Sequence, residues 1–489
     1  MLTPAEEMGL SGMQLAGRVR RAFYRLPAQE VRELTRSIRD ECSRRRVVYL
    51  RDGAVETIRL LACPIAVMPD QVAYLHYVSL TIQNALKRFP EMYMRDFAVR
   101  EILRLPPAEE QWLWGCWGPS HQESNPIFGR LDAVVDFSSP MWKESLRFVE
   151  PNMSGIGGLH LVPTSERILA ELVFPLLRQA DPELRLEVGQ DIRELLMQEV
   201  LDHLESIRRS VRTICFLEPK YAASGIDEQD AVARYFHDRH GLRVVHADPR
   251  ELELRADGEV YGGGERIDVA YRDYTVTDLL ELEASGSNVE PMRRLFQTNR
   301  MVSSIAAELD QKSCWHVLTD PEITQRYFGP EERHVFRRHI LWTRILEDRE
   351  ASLPDGHRGN LLEFARLERE RLVLKPNRSY GGDRVLIGLA CEAAQWDAAL
   401  DAAVAPSADR WVVQQLAGIP VNEFPIIDET DHFQLEPFYT VMGFAPSKYG
   451  IAILGRASQK QVVNVAQRGG ICVIAVGHPP MRLQGPERA

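Results

Sequence analysis

The sequence predicts an α+β protein, a sheet-bearing region preceded by a mostly helical N-terminal region. Three observations predict it. Short runs of strand-forming residues, separated by turns and by one helix, fill the chain from about residue 371. Residues 1–45 and 70–114 carry apolar residues at helical spacing. The composition, 45% hydrophobic and 26% charged over 489 residues, suits a chain with a sizeable core. It excludes a disordered chain, a collagen-like repeat and a simple coiled coil.

Taken in order, Pro27 suits the first turn of a helix over 28–40, where Val31, Leu34 and Ile38 share one face. Strands follow at 46–50 and 57–62. The second is expected to end by Cys63, because Pro64 has no N–H for a ladder. The helical stretch 70–114 is interrupted at Pro90 and at Pro106-Pro107. GRLDAVVDF (129–137) and LRFVEPN (146–152) read as neighbouring strands joined through Ser138-Ser139-Pro140. Thr164 or Ser165 is expected to cap a helix, and a long helix is expected over 190–213. Strands are expected at 213–217, 243–246 and 266–271, then at 371–376, 384–390, 411–417, 451–458 and 471–476. A helix at 392–404 lies among the last group.

Formal charge is −11, from 59 basic and 70 acidic residues, which disfavours a nucleic-acid partner. No apolar run reaches the ~20 residues of a membrane span, and the N-terminus does not read as a signal peptide. The seven cysteines are scattered without close pairs, so no zinc knuckle or disulfide framework is suggested and a cytoplasmic setting is expected.

Three constellations have chemical potential. In LVLKPNRSYGGDRVLIG (372–388), a strand delivers Lys375, expected as a largely exposed side chain before Pro376. A loop with Ser379, Gly381 and Gly382 follows. Glycines let backbone N–H groups approach a phosphate, although a plain glycine hairpin fits this segment as well. In the 130–152 strands, period-two placement points Arg130 with Asp132 and Glu150 with Asn152. Asp132, Glu150 and Asn152 offer hard oxygen ligands suited to Mg2+, with Arg130 beside them for an oxyanion. Polar edge strands are the alternative. In GRASQKQVVNVAQRGG (455–470), Arg456 suits a phosphate clamp and Asn464 a polar ligand to nucleotide or metal, or both belong to a solvated hairpin.

Other residues attract less weight. Asp268 and Arg272 follow the glycine turn at 262–264, and Arg272 reads more as a surface charge than a site residue. His237 and His240 suit a helix end. Trp112, Trp114 and Trp117 suit packing. Cys116 would need a histidine partner to act as a nucleophile.

Together these motifs resemble the ATP-grasp enzymes over roughly residues 120–480. The order R-L-D and E-P-N (130–132, 150–152) before L-K-P (374–376) is similar to the circularly permuted, glutathionylspermidine-synthase-like branch. The resemblance implies an ATP- and Mg2+-dependent ligase that joins a small-molecule or peptide carboxylate to an amine through an acyl phosphate. It implies Mg2+ ligands at Asp132, Glu150 and Asn152, and phosphate-side arginines at Arg130 and Arg456. It implies nucleotide contacts at Lys312, Lys375, Ser379, Gly381, Gly382 and Asn464. Gln414 and Gln415 match a hinge strand whose backbone edge faces adenine, with Gln415 where many relatives carry glutamate. Asp383 and Arg384 crowd the glycine loop with opposite charges. The implied segments are a helical 1–120 region, metal-ligand strands and helices in 121–215, a central α/β region in 216–345, and a nucleotide-binding subdomain in 346–489. An ATP-dependent kinase and a non-catalytic nucleotide- or protein-binding member are the alternatives.

Overall fold

The computed structural model describes residues 4–220, 224–226, 228–379, 382, 384–405, 409–427, 433–461 and 469–478. The strands that frame the functional site are, in chain order, β1 (Leu60–Val67), β2 (Arg130–Val134), β3 (Arg147–Asn152), β4 (Arg185–Glu187), β5 (Thr213–Leu217), β6 (Arg243–Ala247), β7 (Val269–Arg272) and β8 (Met301–Val302). They continue as β9 (Thr343–Ile345), β10 (Leu372–Pro376), β11 (Leu386–Ile387), β12 (Trp411–Gln415), β13 (Val421–Ile427), β14 (Phe433–Ser447), β15 (Gly450–Ser458) and β16 (Gly470–His478).

Three sheets result, and the architecture is α+β as expected. The largest runs β1-β16-β15-β14-β2-β3, with β13 added to β14 and β4 to β16. It takes strands from both ends of the chain: β2 pairs antiparallel with β14, Asp132 opposite Gly443, while β1 pairs parallel with β16. A parallel sheet runs β8-β7-β5-β6, and a small antiparallel sheet runs β9-β12-β10-β11. One apolar cluster joins N-terminal helices to the large sheet, through residues such as Phe23, Ile38, Val78, Phe148, Phe444 and Ile474. A smaller one, around Trp396, Leu374 and Val413, supports the antiparallel sheet.

Several sequence expectations need correction. Strand β1 continues through Cys63 and Pro64 to Val67. It is an edge strand, and the ladder with β16 shifts register between Cys472 and Ile474, so the missing N–H of Pro64 is tolerated. Thr164 and Ser165 do not cap a helix; both are buried inside the Leu161–Leu172 helix. The turn that leads into it and its first N–H group are met from afar, because the Glu228 carboxylate accepts from Gly158, Leu159, His160 and Leu161. The 384–390 run keeps only two residues of strand before a 3-10 turn. The helix expected over 190–213 is shorter, Ile192–Ser206, with Asp191 as its cap. Strands β13 and β14 were not expected at all. The N-terminal region also supplies β1 to the large sheet, so it is built into the main core.

The split origin of the large sheet sets a first expectation. Residues 1–215 carry β1 to β4 and residues 216–489 carry β13 to β16. Expressed separately, neither piece retains the full sheet, and if the whole chain turns over ATP, as the resemblance implies, neither piece alone should do so. Turnover by the second piece alone would contradict a composite site.

Candidate functional site

A cleft of about 770 Å3 opens where the three sheets meet. Arg130, Asp132, Glu150, Asn152, Lys375, Gly382, Gln414, Gln415 and Arg456 all line it, although they are spread over more than three hundred residues of sequence. Lys312 and Ser379 line a small adjoining recess that shares Glu150 and Asn152 with the cleft. Gly381 and Asn464 lie outside the described residues, as does Asp383.

The acidic strands meet as their period-two pattern requires. Across β2 and β3, Arg130 stands opposite Asn152 and Asp132 opposite Glu150. The ladder slips just after Asp132, inserting Val149 as an extra residue of β3. This bulge lets both Val149 and Glu150 line the cleft. Asp132 is buried between two guanidiniums: Arg130 Nε donates to Oδ1 at 3.0 Å, and Arg456 Nη2 lies 2.7 Å from Oδ2. Burial opposes ionisation of Asp132, but the two arginines outweigh it and hold the carboxyl below its usual range. Arg130 also donates to the Gly157 carbonyl at 3.0 Å. Its side chain crosses Gly443 on β14 so closely that a Cβ there would lie 2.5 Å from Arg130 Cδ. Gly443 is thus a requirement of the site.

The opposite wall comes from the small antiparallel sheet. Lys375, on β10, is half-buried and enclosed by the cleft, not the largely exposed side chain that the sequence suggests. Its Nζ donates to Gln414 Oε1 at 2.8 Å. Desolvation is the main cause of a lysine pKa brought down to about 8; Lys312 adds to this, and Glu150 and Asp132 oppose it. Gln414 donates in turn to Thr343 Oγ1 at 2.9 Å and to the Val149 carbonyl at 3.1 Å, tying this wall to the bulge.

The hinge expectation changes here. Strand β12 is central, with Gln414 paired to Thr343 on one side and to Val373 on the other, and Gln415 N donates to the Trp342 carbonyl. The backbone edges at 414 and 415 are therefore used inside the sheet. Gln414 contributes its side chain to the cleft, and the chain lines it further at Leu416, Ala417 and Ile419.

Lys312 approaches from a third direction. Its Nζ donates to the Ser379 carbonyl at 2.5 Å and lies 3.7 Å from Glu150 Oε2. Arg384 pairs with Asp409. The far end of the cleft is formed by residues just beyond β7, a place where parallel strands commonly receive ligands. Asp273, Tyr274, Thr275, Thr277 and Asp278 line it with Ser154 and Gly155. Gly155 has φ +59, and a Cβ there would meet Asp273 Oδ1 at 2.0 Å. Asp273's carboxyl is pushed up to about 8 by desolvation first, then by Glu218, Glu228 and Asp278.

The sequence offered no signal for Glu109, Asp273, Arg378 or Gly443. Its weaker candidates are structural. Arg272 is buried in a pair with Glu308 at 2.6 Å and donates to the Ser303, Ser304 and Tyr274 carbonyls. Asp268 accepts from the Arg212 and Thr213 backbone. His240 contacts Glu194. Trp112 packs edge-on against Phe296. Burial pushes the Cys116 thiol up to about 12, which does not suit a nucleophile. Among the described residues no group of three or more His, Cys, Asp or Glu is placed to hold a metal ion, and no helix is long and apolar enough to cross a membrane.

No protein-family model matches the chain, and no curated protein does. Among solved structures it is similar to a glutathione synthetase-like effector, GSS30, from Globodera pallida in its apo form. The match covers 92% of this chain and 98% of that one, with a TM-score of 0.59 and 12% sequence identity. At that identity, what the two share is a glutathione synthetase-like fold.

Proposed function

We propose that the chain is an ATP- and Mg2+-dependent carboxylate–amine ligase of circularly permuted ATP-grasp type, forming an amide through an acyl phosphate. The observation that carries the reading is the convergence on one cleft of Arg130, Asp132, Glu150, Asn152 and Arg456 from the large sheet with Lys375 and Gln414 from the small one. The resemblance of fold to a protein named glutathione synthetase-like agrees with it.

The donor set fits magnesium, which accepts one or two carboxylates and fills its remaining positions with phosphate oxygens and water. Glu150 and Asn152 would hold it, with Asp132 contributing lone pairs that its arginines do not use. When bound, the ion neutralises charge on the transferring phosphoryl group. Lys375 and Lys312 would bind the phosphate chain of ATP, and the apolar residues Val149, Leu341, Val373, Val385 and Ile387 that line the cleft would take the base. A substrate carboxylate oxygen attacks the γ-phosphorus, the bond to the β-bridging oxygen breaks, and ADP leaves. Arg130 and Arg456, fixed by Asp132, stabilise the charge that develops on the equatorial oxygens. An amine then attacks the acyl carbon, and inorganic phosphate leaves with the former carboxylate oxygen. The proton that the amine nitrogen sheds passes to solvent.

The test is amine-dependent release of ADP in the presence of candidate acids. A stable phosphorylated product formed without amine would favour a kinase instead. Glu150 is partly exposed, and its salt bridge to Lys312 is long. Glu150→Gln should therefore reduce Mg2+-dependent turnover by about 10²-fold or more while changing stability by less than about 1 kcal/mol. Equal loss of stability and turnover would remove Glu150 from the metal site.

A further inference from the structure

One ion pair in the cleft wall has no role in the chemistry proposed above. Glu109 lies on the Pro107–Cys116 helix of the N-terminal region and is buried. Its carboxylate accepts from Arg378 Nη1 at 3.0 Å and from Nη2 at 2.5 Å. Thr277, in the helix that follows β7, donates its hydroxyl to the same carboxylate at 2.8 Å. Glu109, Arg378 and Thr277 all line the cleft. A two-pronged arginine–carboxylate pair fixes orientation as well as distance, which a lysine in the same place would not.

Arg378 is three residues beyond Lys375, in the stretch that leads from β10 toward Gly382. Its neighbours are anchored elsewhere. Asn377 Oδ1 accepts from Ser313 N at 2.8 Å, the Asn377 carbonyl accepts from Lys312 N at 3.1 Å, and the Ser379 carbonyl accepts from Lys312 Nζ. The stretch is therefore gripped from two sides, by residues 312–313 and by the N-terminal helix through Glu109.

We infer that Glu109 is a positioning residue: acting through Arg378, it lets the N-terminal region set where the chain leaving β10 runs along the phosphate side of the cleft. Burial decides between a fixed clamp and a switch. If Arg378 swung away to a ligand, Glu109 would keep, among the described residues, only the Thr277 hydroxyl, and an unpaired carboxylate is heavily penalised at a buried position. The pair therefore stays closed while the cleft fills. The geometric claim stands on the ion pair alone; its consequence for nucleotide binding rests on the proposed function.

The test uses the full chain. Hydrogen exchange of residues 372–379 is measured without ligand in wild type, Glu109→Gln, Arg378→Lys, Arg378→Gln and the charge-reversed double variant Glu109→Arg with Arg378→Glu. Exchange should quicken about tenfold or more in the Gln variants, since one lost charge-assisted pair is worth at least that factor. Arg378→Lys, which keeps the charge without the fork, should fall between. The double variant should return to within about threefold of wild type. MgATP dissociation constants, by calorimetry, should weaken about tenfold in the Gln variants and recover in the double one. Wild-type exchange in the single variants, or a double variant that exchanges as fast as they do, would overturn the inference. If wild type binds no MgATP, the ligase reading falls, and the exchange result still decides the clamp.

Discussion

Asp132→Ala is expected to lower stability by about 3–5 kcal/mol, because it leaves two guanidiniums in a confined site without their counter-charge. Asp132 is 3% exposed at its side chain, Arg130 12% and Arg456 11%, so solvent screens the group weakly. Such a variant should also lose turnover, since both arginines lose the anchor that aims them. The pH dependence has a definite sign. Asp132's carboxyl is held below its usual range when folded, so the unfolded chain takes up its proton first as pH falls. Its contribution is therefore complete at neutral pH and is lost below about pH 4, as pH descends from the unfolded carboxylate value toward the folded one. The stability gap between wild type and Asp132→Asn, from urea unfolding, should be flat from pH 6 to 8 and shrink only in acid, where about 4 marks the unfolded carboxylate. A gap under about 1 kcal/mol at neutral pH would mean that the arginines find other partners.

The second large effect concerns Lys375. Lys375→Ala should weaken MgATP binding about 10- to 100-fold, the range for one charge-assisted hydrogen bond to a phosphate. It should not lower stability. A lysine whose folded pKa sits near 8 binds its proton less tightly folded than unfolded, so wild-type stability rises as pH climbs from about 8 toward the unfolded value near 10.4. The ammonium is thus a burden below that window, and a phosphate bound beside it would relieve that burden. Affinity for MgATP should consequently be steady below about pH 7 and decline as pH passes 8, where the free protein has lost the charge. Lys375→Arg keeps its charge throughout and should lose that decline. An unchanged dissociation constant in Lys375→Ala would remove the residue from the phosphate site.

How much of this was legible in the sequence follows from what each signal is made of. Alternation along 130–134 and 147–152 is a property of single strands, so the shared face of Arg130, Asp132, Glu150 and Asn152 could be read directly. The helix expected over 28–40, which in the structure runs on to Arg44, was legible for the same reason, since Val31, Leu34 and Ile38 all turn inward. Partners brought together by tertiary packing were not. Nothing near Glu109 announces Arg378, 269 residues away, and nothing near the 158–161 turn announces Glu228. Strand β14 was hidden because Pro437, Gly443 and Pro446 look like breaks. Gly443 is in fact where Arg130 crosses, and Pro446 sits near the end of the pairing with β15. The hinge at Gln414 misled because the sequence shows a strand's residues but not whether its edges are already paired.

The most direct measurement is a crystal structure of the full chain with a non-hydrolysable ATP analogue and magnesium. The account predicts the γ-phosphate between Lys375 and the Arg130–Asp132–Arg456 group, with the metal about 2 Å from oxygens of Glu150 and Asn152. A nucleotide bound outside this cleft, or a cleft that stays empty at saturating nucleotide, would contradict it.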